Sequence, residues 1–182
     1  IDFPAASEGS YMFTNRGAAA DTKALIFKGC SINIEKQRFY QTHNSHVNYI
    51  IKNIIFENNV YRTTYNNSAK NYMFDFKATP RMGAIETVKL VNNIFYNSNN
   101  LTAAWNIIAY GNGSETFDDY VLEITCKNNT FIDLVGRDMY FKVYRMKSFN
   151  VNDNIFYGTQ TSGTYDDKNS LLYRTYGTGH EV

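Results

Sequence analysis

Five basic residues recur at one position of a short repeated unit, and their type and spacing suggest chemistry. Each follows the last apolar residue of an apolar segment, and Gly111 stands at this position in one further unit. The five are Lys28, Lys52, Lys77, Arg145 and Arg174. If the units stack at the strand spacing of about 4.8 Å, these side chains form a column of positive charge that would bind an extended anionic polymer.

Aromatic residues close to this column favour a sugar polymer as the ligand. Trp105, Tyr110 and Tyr144 offer flat ring faces near the basic positions, and such rings combine apolar contact area with hydrogen-bonding tips. The competing interpretation is that the cations point outward and are neutralised by nearby carboxylates, such as those of Glu57 and Asp75. The sequence leaves both interpretations open.

The two cysteines predict separate buried thiols rather than a disulfide or a metal site. Cys30 and Cys126 both lie in alternating apolar segments, and neither belongs to a Cys-x-x-Cys motif or has a histidine nearby. Isolated cysteines in such surroundings usually behave as small apolar residues.

Length and composition bound the fold and the partners. The chain has 182 residues and a formal net charge of +1, which predicts one domain over residues 1–182. The absence of a run of about 18 apolar residues and the near-neutral charge argue against membrane insertion and nucleic-acid binding. The 23 asparagines and 16 threonines favour strands joined by tight turns.

An eight-residue pattern without gaps recurs four times. Its order is apolar, any, apolar, any, Asn or Asp, Asn, any, aromatic, and it occupies residues 54–61, 88–95, 124–131 and 149–156. We place a degraded earlier copy at residues 32–39. A second short apolar strand precedes each copy, so each unit is predicted to contain two strands. Repeats of this length indicate a solenoid.

The repeat predicts an all-β fold, a single-stranded parallel β-helix of about six rungs with loop insertions. Residues 24–176 hold the repeats, residues 1–23 a first rung or cap, and residues 177–182 a tail. At one corner, asparagines with left-handed backbone conformation would hydrogen-bond from turn to turn. This ladder comprises Asn59, Asn93, Asn129 and Asn154. An antiparallel β-sandwich is the alternative, because short Asn-rich strands also occur in hairpins.

Three inward columns of side chains would fill this β-helix. One consists of ring positions, and the other two consist of the apolar positions of the repeated pattern. The columns are Tyr61, Phe95, Phe131 and Phe156; Ile34, Phe56, Leu90, Cys126 and Val151; and Ile32, Ile54, Val88, Ile124 and Phe149.

The Asn-Asn-x-Phe corner after an alternating Val/Ile strand, as in residues 88–95, resembles the rungs of the pectate-lyase-like superfamily of right-handed parallel β-helices. The resemblance covers roughly residues 24–176. Within the superfamily, the chain is most similar to β-helical domains of bacterial polysaccharide-utilisation proteins. The resemblance implies a right-handed coil, a polysaccharide partner, an extracellular, cell-surface or periplasmic location, and room for further domains in a longer chain.

Lyases of this superfamily remove a proton beside a carboxyl group with an Arg or Lys base, while Ca²⁺ held by acids neutralises the carboxylate. The resemblance makes Lys77 or Arg81 the candidate base, with Asp75 and Glu86 as the nearest acids. The Arg-x-Pro-x-x-Arg motif of the commonest pectate lyases is absent. Fragments similar to polygalacturonase motifs lack the right order and context; they are Asp118-Asp119, Asp166-Asp167 and Gly179-His180.

We therefore expect an exported module that binds polysaccharide without catalysis, with an acidic glycan favoured and with no resident metal or cofactor. The second expectation is a lyase, using Ca²⁺, that cleaves a uronate-containing glycan by β-elimination. The third is a structural stalk or adhesin segment. The residues leave open whether the chain is an enzyme.

Overall fold

The computed structural model describes residues 2–3, 11–15, 21–34, 38–42, 50–64, 71–76, 85–98, 105–110, 123–133, 141–144, 147–157 and 173–176. These residues form β-strands and no helix. None of these segments could therefore serve as a membrane-spanning helix.

The strands belong to three sheets. Sheet A contains β1 (Asp2–Phe3), β4 (Ser31–Ile34), β7 (Val60–Thr63), β10 (Ile94–Asn97), β13 (Thr130–Ile132) and β16 (Ile155–Tyr157). Sheet B contains β2 (Tyr11–Asn15), β5 (Arg38–Thr42), β8 (Asn71–Phe76), β11 (Trp105–Tyr110), β14 (Phe141–Tyr144) and β17 (Tyr173–Tyr176). Sheet C contains β3 (Asp21–Lys28), β6 (Ile50–Glu57), β9 (Thr87–Val91), β12 (Glu123–Lys127) and β15 (Ser148–Asn152).

Within each sheet, a strand pairs with the strand that lies three places further along the chain, and all pairs among the described strands are parallel. Parallel neighbours need a crossover connection, and the other two sheets supply it. The fold is therefore all-β with parallel sheets, which is compatible with a parallel β-helix. The antiparallel sandwich is wrong for this part of the chain.

Each repeat contains three strands, so the prediction of two strands is wrong. The eight-residue pattern spans a strand of sheet C and the following strand of sheet A, as in β6 and β7. Only two residues, Asn58 and Asn59, separate these strands. The corner was predicted, but the strand after it has only three or four residues, as in β13 and β7, which is too short for its alternation to be recognised as a separate strand.

The first copy of the pattern begins at Leu25, not at Ile32 as predicted. Leu25 pairs with Ile54 in sheet C, whereas Ile32 pairs with Tyr61 in sheet A. Residues 29–30, Gly-Cys, occupy the corner where the other copies carry Asn-Asn or Asp-Asn. This copy does not match the sequence pattern, because its corner has the same backbone conformation as the others but different residue types.

Two neighbouring residues of each corner perform the two roles that the sequence suggested for one asparagine, the left-handed backbone conformation and the ladder hydrogen bond. The first residue of the corner has a positive φ, which glycine, asparagine and aspartate adopt more readily than other residues. These residues are Gly29 at 63°, Asn58 at 56°, Asn92 at 55°, Asn128 at 55° and Asp153 at 56°. The second residue of the corner carries the ladder side chain.

The predicted asparagine ladder is confirmed. Asn59 Nδ2 donates to Asn93 Oδ1 at 3.1 Å, and Asn93 Nδ2 donates to Asn129 Oδ1 at 2.9 Å. Asn129 Nδ2 continues the series to Asn154 Oδ1 at 2.9 Å. At the other end, the backbone N–H of Cys30 donates to Asn59 Oδ1 at 2.9 Å. The ladder thus joins five successive corners.

The core lies between the three sheets, and the predicted columns are confirmed except at Ile32 and Ile34. Ile32 belongs to the ring column and Ile34 pairs with Thr63, because both residues lie in sheet A rather than in sheet C. In the ring column, Phe95 and Phe131 stack with centroids 5.1 Å apart and planes 5° apart. Strand pairing in sheet C places the residues of the other two columns next to one another. These columns are Phe56, Leu90, Cys126 and Val151, and Ile54, Val88, Ile124 and Phe149.

Sheet B closes the third side of the core. Its residues Phe39 and Phe74 are buried and meet Phe56 of sheet C edge to face, with centroids 5.6 and 5.9 Å apart. Edge-to-face packing is favourable for aromatic pairs. The rings from the three sheets therefore fill a common interior.

Candidate functional site

Two of the predicted binding cations are paired with carboxylates on sheet C. Lys28 Nζ lies 2.7 Å from Glu57 Oε2, and Lys52 Nζ lies 2.6 Å from Glu86 Oε1. Each pair joins neighbouring repeats. Both lysines are largely exposed, so water screens the attraction and each pair contributes about 0 to 1 kcal/mol to stability. Their charge is locally balanced, as the neutralising interpretation of the sequence predicts for Lys28 and Glu57.

A third pair of the same kind was not predicted. Lys147 Nζ lies 2.8 Å from Glu123 Oε1, and the hydrogen bond and charge of this carboxylate raise the pKa of the lysine. Glu123 pairs in register with Thr87, which is the residue directly after Glu86 in the sequence. The sequence signal was weak, because Lys147 lies between repeat strands and outside the repeated pattern.

The single column of five cations is wrong for the residues that the structure describes. Lys28 and Lys52 both lie in sheet C, but they are far apart along its strands. Lys28 pairs in register with Glu57, the last residue of β6, whereas Lys52 lies near the beginning of β6. Arg174 lies in sheet B. The five cations fall in one column only if each repeat is aligned as two strands, whereas each repeat has three.

Sheet B contains the other predicted residues that fall within strands. Trp105 and Tyr110 belong to β11, Tyr144 to β14 and Arg174 to β17. The strand order β8, β11, β14, β17 makes these strands successive neighbours. Lys77, which follows β8, and Arg145, which follows β14, lie outside the described residues.

One register row of sheet B combines charged residue types. Asp75 pairs with Ala109, Ala109 pairs with Lys142, and Lys142 pairs with Arg174. Neighbouring parallel strands lie about 4.8 Å apart, so the two basic residues occupy adjacent positions. We call Asp75, Lys142 and Arg174 the sheet B row. Lys142 was not among the predicted site residues, although its place between Phe141 and Val143 gives the alternation of a strand.

The candidate lyase residues do not come together in the described structure. Asp75 lies in sheet B, whereas Glu86 directly precedes β9 of sheet C and binds Lys52. Lys77 and Arg81, the candidate bases, lie outside the described residues, as do the Asp-Asp and Gly-His fragments. Among the described segments, no three His, Cys, Asp or Glu residues lie close enough to hold a metal ion. The described acids do not fit a Ca²⁺ site.

The two cysteines are free thiols, as predicted. Cys126 is buried, and burial raises its pKa to about 12. Its Sγ accepts a hydrogen bond from Asn129 Nδ2 at 3.4 Å and lies 3.7 Å from Asn154 Oδ1. Cys30 is half-buried at the first corner of the ladder, so the prediction of a buried thiol is confirmed for Cys126 and is wrong for Cys30. A chemical role for the pair is not indicated.

The strand pairing thus collects basic and aromatic residues in sheet B and balances the charges of sheet C. Comparisons of the chain with protein-family models, curated proteins and solved structures found no match.

Proposed function

We propose that the chain is an exported right-handed parallel β-helix of about six turns, of the pectate-lyase-like type, that binds polysaccharide without cleaving it. The favoured ligand is an acidic polysaccharide. Further domains of a longer protein would present this module to its ligand or anchor it.

The sheet B row is the observation that carries this proposal. Lys142 and Arg174 are register neighbours, Tyr144 stands two residues after Lys142 in β14, and Trp105 lies in the adjoining β11. Tyr110 does not support this site, because it stands one residue after Ala109 of the same register row and successive positions of a strand alternate between the two faces of the sheet. Adjacent cations repel one another unless an anion binds between or above them. Guanidinium and ammonium groups are the usual partners of carboxylates. A uronate chain supplies such anions at regular intervals.

Sheet C supports this ligand less well than the sequence suggested. Lys28 and Lys52 each have a carboxylate within 2.7 Å. An acidic glycan would have to displace Glu57 or Glu86 before it gained a contact, and the exchange of one carboxylate for another yields little free energy. The acidic ligand is therefore proposed for sheet B.

Affinity electrophoresis in gels that contain polygalacturonate or alginate tests the proposal. We expect retardation of the wild-type chain relative to a gel without glycan, and less retardation as salt screens the charges. The variant with Lys142→Ala and Arg174→Ala should bind about tenfold more weakly or worse. The matched control, Lys28→Ala with Lys52→Ala, removes the same charge from sheet C and should bind like the wild type.

Two outcomes would overturn this assignment. Unretarded wild-type protein in both acidic glycans would remove the binding function. Equal loss in the two double variants would mean that net charge, not sheet B, governs binding. The same incubations are followed at the absorbance of the unsaturated product, with and without Ca²⁺; product formation would replace the noncatalytic proposal by the lyase, with Lys77 or Arg81 to be tested as the base.

A further inference from the structure

Sheet A carries two rows of residues on the side opposite its buried ring column. The residues at ring positions are buried in β4, β7, β10 and β13, and those on either side of them are exposed or half-buried. One row is Ser31, Val60, Ile94, Thr130 and Ile155; the other is Asn33, Arg62, Tyr96, Ile132 and Tyr157. We call these ten residues the sheet A strip.

The sheet A strip exposes apolar and aromatic side chains and carries little charge. Relative exposure is 39% for Val60, 42% for Ile94, 60% for Ile155 and 68% for Tyr157. Arg62 is the one charged residue among the ten. Sheet C differs, because its outward positions include the ion pair of Lys28 with Glu57. Large exposed apolar patches mark contact surfaces, and these two rows are the candidate for such a surface in sheet A.

The only cation of the strip is held in place by two hydrogen bonds. Arg62 Nη1 donates to Asn33 Oδ1 at 3.2 Å, and Arg62 Nη2 donates to Ser98 Oγ at 3.2 Å. Both partners are neutral. The two bonds therefore tie the guanidinium to the repeats on either side of its own.

The dimensions of the strip favour a narrow ligand. Five strands at a spacing of about 4.8 Å give a length of about 19 Å, and rows two residues apart are separated by about 7 Å. A stable protein interface buries roughly 800 Å² on each partner, and the strip is several times smaller. A single extended polymer chain matches this shape, whereas a second protein does not.

We propose that the sheet A strip binds one extended chain of a neutral polysaccharide, which lies across the strands along the stacking direction. Tyr96 and Tyr157 lie two strands apart in one row and offer rings and hydroxyl groups to successive parts of the chain. Arg62 and Asn33 supply hydrogen bonds at the other end. The surface is separate from the sheet B row, so this inference does not depend on acidic glycan binding.

Affinity electrophoresis in hydroxyethylcellulose and in xyloglucan tests the inference. We expect retardation of the wild-type chain in at least one of them. Tyr96→Ala with Tyr157→Ala should weaken binding about tenfold or more, and Tyr157→Phe should retain most of it, because the ring remains. The matched control is Ile26→Ala, which truncates a residue of sheet C that is 53% exposed and should leave binding unchanged. Circular dichroism confirms that each variant is folded.

The possible results are decisive in either direction. Lack of retardation in both neutral glycans, or equal binding by the wild type and the double tyrosine variant, would overturn the inference. Sedimentation that shows a dimer dissociated by the tyrosine substitutions, without glycan binding, would assign the strip to a second copy instead. Loss of neutral binding in the tyrosine variant but not in the Lys142 and Arg174 variant would support two separate surfaces.

Discussion

Cys126 is a residue whose surroundings determine its chemistry. Its thiol is buried in the column that continues from Leu90, beside the amide groups of Asn129 and Asn154. Burial raises its pKa to about 12 and outweighs the hydrogen bond from Asn129, which lowers the pKa. An unfolded thiol ionises near pH 8.5. The folded chain thus keeps a proton that the unfolded chain releases.

This difference makes stability fall as the pH rises. Below the unfolded pKa both states hold the proton; between that value and about pH 12 only the folded state does, so alkali favours unfolding. At pH 10 the Cys126 contribution amounts to a loss of about 2 kcal/mol. Urea unfolding at pH 7 and pH 10 should show a smaller decrease for Cys126→Ala than for the wild type.

Cys30→Ala is the control for this measurement, because Cys30 is half-buried and lies at the other end of the ladder. Its unfolding is measured at the same two pH values. Identical pH dependence in all three proteins would contradict the role assigned to Cys126. Tyrosine ionisation affects the three alike and cancels in the comparison.

At the scale of elements, the ladder connects corners that the backbone alone would leave only partly bonded. Asn93 Oδ1 accepts the backbone N–H of Asn59 at 2.9 Å and its Nδ2 at 3.1 Å. Asn93 Nδ2 donates to the carbonyl of Phe56 at 2.7 Å and to Asn129 at 2.9 Å. One buried amide therefore holds three successive repeats in register.

Asn93→Ala should destabilise the fold by about 3 to 5 kcal/mol, because it leaves buried donors and a buried carbonyl without partners. Urea unfolding monitored by circular dichroism measures the change. Asn150→Ala is the control: Asn150 is exposed on sheet C, and its loss should cost less than about 0.5 kcal/mol. Similar costs for the two substitutions would show that the ladder contributes little.

The elements were only partly predictable. The ladder followed from the repeated Asn-Asn and Asp-Asn corners, because left-handed backbone and amide stacking favour these residues locally. The third strand of each repeat did not, since the strand after the corner has only three or four residues, as in β13 and β7, and its alternation is too short to be recognised as a separate strand. Gly29-Cys30 was missed because glycine reaches the same φ without the asparagine side chain that identified the other corners.

At the scale of the whole molecule, the repeats share one aromatic interior. Phe95 is fully buried, stacks on Phe131 with centroids 5.1 Å apart and lies 5.7 Å from Phe56. It touches sheets A and C and three successive repeats. Because each repeat buries its apolar face only against its neighbours, a defect in one repeat weakens the others.

Phe95→Ala should therefore cost about 3 to 5 kcal/mol, since it removes a buried ring and leaves a cavity that the stacked strands cannot close. Urea unfolding of Phe95→Ala and of Tyr157→Ala gives the comparison. Tyr157 is 68% exposed, and its truncation should change stability by less than about 0.5 kcal/mol. A nearly neutral Phe95→Ala would mean that the ring column is not continuous.

The sequence by itself determined the all-β character, the asparagine ladder and most of the inward columns, because alternation by two and the corner residues act over a few neighbouring positions. Only the tertiary structure decided that each repeat contains a third strand and that Gly29-Cys30 forms the first corner, with Cys30 29 residues before Asn59. It set Lys28 against Glu57 and Lys142 beside Arg174. These features depend on hydrogen bonds and ion pairs between segments that are distant in the sequence, and a local residue pattern does not specify such contacts.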